Sequence, residues 1–163
     1  MVIESRKLLV FLLPLFMLVS CKEPRERFDF VFSDPISDND GSTYRFCADF
    51  NNPSATYNTA IVCRYSTTII KGNCLTFDIT ATSPSGQSYF ERVTMPLDKD
   101  NTLIRFRHNN GSVADIQWPY RNNIAVSEDT GIWHIDIKVA DSSLVKGIYG
   151  LGFSYNKHIP DTK

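Results

Sequence analysis

The chain reads as all-β: a single antiparallel β-sandwich of jelly-roll type, preceded by an N-terminal signal peptide. Three observations predict it. Apolar and polar residues alternate with period two along most of the chain. Clusters of Asn, Asp, Ser, Pro and Gly punctuate those segments at short intervals. The aromatic supply is large, with 11 Phe, 7 Tyr and 2 Trp, and such side chains suit a half-buried pleated surface. No internal repeat or low-complexity stretch competes with this reading.

The elements follow in order. Phe28, Phe30 and Phe32 alternate with Arg27, Asp29 and Val31 and predict a first strand. Residues 34–41 are a loop. In 43–50, Tyr44, Phe46, Ala48 and Phe50 form an apolar face opposite Thr43, Arg45, Cys47 and Asp49. A loop at 51–54 leads into a third strand over 60–70. Residues 75–82 place Leu75, Phe77, Ile79 and Ala81 on one face. Ser83-Pro84-Ser85-Gly86 is a hairpin turn, and 87–97 is the return strand. A short strand is expected at 103–107 and a turn at Asn109-Asn110-Gly111. Residues 112–127 carry Trp118, Pro119 and Tyr120 without a clear period, and fit a short helix or an irregular crossing loop. Trp133, Ile135, Ile137 and Val139 give the cleanest alternation in the chain. Tyr149, Leu151, Phe153 and Tyr155 form the last strand face, and 158–163 are a tail.

The N-terminus carries the sharpest signal. Arg6 and Lys7 precede an apolar run over 8–19, broken only by Pro14. That run is too short to cross a hydrocarbon core of roughly 30 Å and fits the apolar region of a secretory signal. It ends in Leu18-Val19-Ser20-Cys21, the order of a bacterial lipobox. A small residue at Ser20 lets the signal peptidase cut before Cys21, whose thiol takes the lipid. One acyl chain binds a membrane marginally and two or more hold it stably, at about 0.8 kcal/mol per buried methylene. The expected layout is a lipoprotein signal peptide at 1–20, a lipidated tether at 21–27 (Cys-Lys-Glu-Pro-Arg-Glu-Arg), the sandwich at 28–157 and the tail at 158–163. Lys22 follows the Cys where an inner-membrane retention signal would place Asp. The outer membrane of a Gram-negative cell, on its periplasmic or its outer face, is therefore the expected location.

Charge narrows the partners. Removing Glu4, Arg6 and Lys7 from 17 basic and 18 acidic residues leaves 15 against 17, a balance of −2. No basic patch stands out, so nucleic acid is not an expected partner. Three thiols remain after Cys21: Cys47, Cys63 and Cys74. An odd number leaves at least one unpaired. Pairing across the 51–58 loop would bring Cys47 near Cys63, while an aromatic core face on 43–50 turns Cys47 the other way; buried free thiols are the alternative.

The chemistry-bearing residues are sparse. The histidines are His108, His134 and His158, and none has metal-ligand spacing to other donors. His134 and Asp136 share a strand face, which supplies two ligands without a third and reads better as a solvated polar face. Glu128-Asp129 and Asp98 to Asp100 read as turn residues. No catalytic residue, metal or cofactor is therefore expected, and the chain is read as a non-enzyme. Trp118 and Tyr120 are the candidate ligand-contact aromatics, suited to stacking on a sugar, with plugging one end of the sandwich as the alternative. Trp133, in line with three aliphatics, is assigned to the core.

From Ala60 onward the order of motifs is AIVCRYSTTII, LTFDITATSPSGQSYFERVTMPL, YRNNIAV, TGIWHIDIKV and LVKGIYGLGF. Together with the lipobox this succession, over roughly residues 57–155, resembles the GldH-type gliding-motility lipoproteins. It departs from them in two places. Residues 98–114 lack the Trp-Gly-rich stretch common in that family, and Val139-Ala140-Asp141-Ser142 stands where the family has a polar Gln-x-Met-Arg segment. The resemblance implies a non-enzymatic accessory of an envelope machine, anchored at the outer membrane and working through other envelope proteins. A surface glycan-binding lipoprotein is the alternative. In cells, Cys21→Ala should abolish palmitate labelling and leave the chain unprocessed or mislocalised; a variant still held in washed outer membranes would contradict the lipid-anchor reading.

Overall fold

The computed structural model describes residues 27–32, 43–98 and 100–158. Cys21, the rest of the tether before Arg27, the signal peptide and residues 159–163 lie outside them. Among the described residues nine strands form: β1 Arg27–Phe32, β2 Thr43–Phe50, β3 Thr56–Ser66, β4 Cys74–Thr82, β5 Ser88–Pro96, β6 Arg105–Asn109, β7 Val113–Ala125, β8 Gly131–Val139 and β9 Ile148–His158. A short 3₁₀ helix, Ser142–Gly147, precedes β9, with Asp141 capping it through Ser143 N. No described helix is long and apolar enough to cross a membrane.

The strands divide into two antiparallel sheets. One runs β1-β9-β3-β7-β6 and the other β2-β8-β4-β5. With β6 set aside, the chain passes between sheets at every connection except the β4–β5 hairpin. The resulting order, β1-β9-β3-β7 facing β2-β8-β4-β5, is that of a jelly roll built from two Greek keys. The all-β sandwich expected from sequence is the fold observed.

Alternation decides which face of each strand points inward. Tyr44, Phe46, Ala48 and Phe50 of β2 lie on the same inner face as Leu75, Phe77 and Ile79 of β4 and Ile135, Ile137 and Val139 of β8, in one buried cluster. From the opposite sheet come Ile61, Cys63, Ile116, Leu151 and Phe153. Phe46 stacks on Phe153 across the gap, with ring centroids 6.1 Å apart.

Phe28 and Phe30 lie on the outer face of the larger sheet, over Gly152 of β9. A Cβ at Gly152 would come within 2.8 Å of the Phe30 ring and 2.9 Å of the Phe28 ring. Glycine is required there because two aromatic rings rest on the backbone itself.

Three local expectations are corrected. Residues 112–127 hold no helix or crossing loop; Val113–Ala125 is the longest strand. Its period is broken by two register shifts against β3, around Thr59, and by Asn123 at φ 56°. The third strand ends at Ser66, where the chain enters a turn. The sixth begins at Arg105, leaving Leu103 exposed in the preceding connection.

Among the described residues Cys47, Cys63 and Cys74 are all free. Cys47 and Cys63 belong to different sheets and Cys47 points outward, so the pairing considered across the 51–58 loop does not form. Only Cys63 is buried. Burial, with Asp115 nearby, pushes its thiol well above the ordinary range, so it stays protonated.

Phe77 is fully buried at the centre of β4. Phe77→Ala should lower the unfolding free energy by about 3–5 kcal/mol in urea titrations of the full-length protein. A loss under about 1 kcal/mol would place Phe77 outside the tightly packed interior.

Candidate functional site

The residues singled out from sequence occupy three different surfaces. Trp118 and Tyr120 sit on the inner side of β7, half-buried against the core. Their rings meet at 6.3 Å. The irregularity around Thr59 places Tyr120 opposite no residue of β3, between the Ala60–Pro119 and Thr59–Arg121 pairs. As a result two residues adjacent in sequence reach the same partner. The Tyr120 hydroxyl donates to one carboxylate oxygen of Glu91 on β5. Arg121 donates to the other at 2.6 Å, with its guanidinium 5.7 Å from the Tyr120 ring centre. Burial, then the Glu91 hydrogen bond, raises the Tyr120 hydroxyl well above the usual phenol range. This clasp joins the open sides of the two sheets. The plug alternative fits Trp118 and Tyr120 better than an exposed sugar platform.

The outer face of the smaller sheet carries His134 and Asp136. His134 Nδ1 lies 3.5 Å from Cys47 Sγ, its cross-strand neighbour. Asp136 faces Arg45 at 3.8 Å, and Asp78 takes a two-pronged bond from Arg92 at 2.6 and 2.9 Å. Opposite charges thus sit next to each other across strands on an exposed sheet. Among the described residues no three His, Cys, Asp or Glu converge to hold a metal ion.

The described residues also form concave surfaces, two of them larger than the recess of about 200 Å³ beside Arg27 and Asp49. The first is a groove of about 460 Å³ on the outer face of the larger sheet. Small residues, Ala60 and Ser154, floor it beside Pro119, and the connection before β6 overhangs it at Leu103. Its polar lining is largely carboxamide, from Asn58, Gln117, Asn122 and Asn156. Asn156 Oδ1 is buried with no hydrogen-bond partner, a costly state unless a donor arrives. The groove borders an incomplete strand pairing. β6 matches β7 only from Arg105–Gln117 to Asn109–Ala114. Among the described residues, 118–125 therefore have a strand neighbour on the β3 side alone, an edge on which Pro119 is tolerated.

The second is a cleft of about 420 Å³ at one end of the sandwich, between the β4–β5 and β7–β8 turns. Tyr89 and Trp133 form its aromatic wall, with ring centroids 5.9 Å apart and planes 21° apart. Trp133, assigned to the core from sequence, is half-buried and packs against the core from its edge, and its indole N–H donates to Asp129 O at 3.0 Å. The other side of Trp133 meets Phe50 at 6.2 Å.

Asp129 ties the two turns together. Its carboxylate accepts from Ser85 N at 3.2 Å and Ser85 Oγ at 2.7 Å. Gly131, at φ 136°, packs so close to Pro84 that a Cβ would lie 3.0 Å from that ring. Sequence reading gave Trp133 to the core and Glu128-Asp129 to a turn, and both placements hold; what it lacked was the cross-turn neighbour Tyr89. The register places this end beside Arg27, since Arg27 pairs with Tyr155 while Phe50 pairs with Gly131 and Thr56 with Ala125.

Searches of family models, of curated proteins and of solved structures find no match to this chain.

Hydrogen bonds from Ser83 and Ser85 hold the Asp129 carboxyl below the usual carboxylate range. A depressed folded value means the clamp contributes at neutral pH and is lost as pH falls through that value. Asp129→Asn should therefore lower Tm at pH 7, with the gap to wild type closing in acid. A gap that stays constant with pH would show that the charge is not what ties the turns.

Proposed function

We propose that this chain is a non-catalytic outer-membrane lipoprotein, anchored through Cys21, that acts by contacts with other envelope proteins in the manner of gliding-motility accessory lipoproteins. The observation that carries the reading is the open edge of β7 over 118–125 beside the carboxamide-lined groove. An extended segment laid along such an edge can form main-chain hydrogen bonds, with alternate side chains set into the adjoining groove. A peptide N–H is the donor that Asn156 Oδ1 lacks. Carboxamides, hydroxyls and the single guanidinium of Arg105 suit recognition of peptide groups better than proton transfer.

The anchor complements this arrangement. Six residue steps separate Cys21 from Arg27, a reach of at most roughly 20 Å at about 3.3–3.6 Å per residue. A domain held on so short a lead meets partners already resident at the same membrane, where confinement raises the effective concentration.

A photo-crosslinking residue placed at Leu103 in the full-length lipidated protein tests the reading in cells. The expected result is an adduct of discrete mass with one envelope protein, absent when the probe is at Ile69, together with an altered envelope or spreading phenotype on deletion. No adduct at Leu103 and an unchanged phenotype would overturn it.

A further inference from the structure

We propose that the end cleft binds a neutral saccharide, with the ring of Tyr89 as its stacking platform. The inference stands on different residues from the β7 edge and does not depend on the protein-contact reading. Tyr89 is 49% exposed although it lies in a strand, which leaves about half of its surface open to a ligand. Its ring stacks on Trp133, which Phe50 and the Asp129 carbonyl hold in place.

The ring geometry selects the guest. A cation cage needs aromatic faces converging on one point. Here the planes are nearly parallel, and their centroids are 5.9 Å apart. A guest between two faces needs roughly 7 Å, twice the optimal heavy-atom separation. The pair therefore offers an outer face and no slot. An aromatic face carries negative charge density, and the C–H face of a pyranose presents the complementary positive polarity over an area of the same size.

The rim selects further. Gln87, Ser127 and Glu128 line it, and among the described residues no Lys or Arg does. These groups exchange hydrogen bonds with hydroxyls, while the two carboxylates, Glu128 and Asp129, repel uronates, sulfate esters and phosphates. Asp129 is committed to Ser85 and serves as the clamp that keeps both turns in place. The site is thus formed before the ligand arrives, which lowers the ordering cost of binding. Its volume lies within the range of small-molecule sites.

Titration calorimetry on the full-length lipidated protein in detergent micelles tests this. The probes are hexaoses of glucose, xylose, mannose and N-acetylglucosamine, with oligogalacturonate and hexalysine as charged comparators. At least one neutral hexaose should bind with a dissociation constant in the millimolar range or tighter, and more tightly than either charged probe. Tyr89→Ala should weaken it about tenfold or more, Tyr89→Phe should keep it, and Phe90→Ala, on the opposite face of the same strand, should leave it unchanged. Circular dichroism of each variant establishes that it is folded. No binding by any neutral hexaose at millimolar concentration, affinity unaffected by Tyr89→Ala, or preference for hexalysine would overturn the proposal.

Discussion

Phe46 and Phe153 stack across the interior from opposite sheets, and around them lies one continuous slab of buried side chains drawn from both. A sheet has only two faces, so committing one of them to this slab leaves the other for everything else. On β8 the inner set is Ile135, Ile137 and Val139, which forces His134, Asp136 and Lys138 outward. On β2 the same constraint buries Phe46 and exposes Cys47. The His134–Cys47 contact on the outer sheet face is thus a by-product of core register. Regular pairing stops at the strand edge beside β6 and at the turns at one end, the two places for which binding roles are proposed.

Closure on the open side depends on a local departure from regularity. A regular strand would send Tyr120 and Arg121 to opposite faces. The irregularity around Thr59 lets both reach Glu91, so one carboxylate accepts from a phenol and a guanidinium on the same strand. Along the same segment β7 keeps β3 on one side, while among the described residues its pairing with β6 on the other side stops at Gln117. The clasp that locks the sandwich at one side and the edge to which a binding role is assigned therefore lie in the same stretch of β7. Pro119 sits in that stretch because it lacks the N–H that a central strand would need.

Most of the fold was legible in the sequence because period-two patterning and hairpin turns are local signals. The strand containing Trp133 and the turn at Ser83 to Gly86 are examples: each is written within a dozen residues. Residues 113–125 were not legible, because Pro119, Asn122 and Asn123 mimic a loop, and only the neighbouring strand β3 supplies the pairing that makes them a strand. Trp118 and Tyr120 drew notice as aromatics beside a proline. Their inward direction is set by Ile61 and Glu91, residues distant in sequence. The cleft was invisible for the same reason: Tyr89 and Trp133 lie 44 positions apart in numbering and meet only when two turns are clamped by Asp129. The orphan Asn156 Oδ1 carries no sequence signal at all.

These features combine into one arrangement: β1 begins at Arg27, the turn-lined cleft opens at that same end, and the groove runs along the outer face of the larger sheet. The central element is the side of β7 that, among the described residues, has no strand beside it over 118–125. Hydrogen exchange on the full-length protein in detergent micelles probes it most directly. The account predicts slow exchange over 113–117, where β3 and β6 flank the strand, and markedly faster exchange over 118–125, with protection rising there when a partner is bound. Protection over 118–125 as strong as over 113–117 in the free protein would mean that the edge is already covered, and would contradict the account.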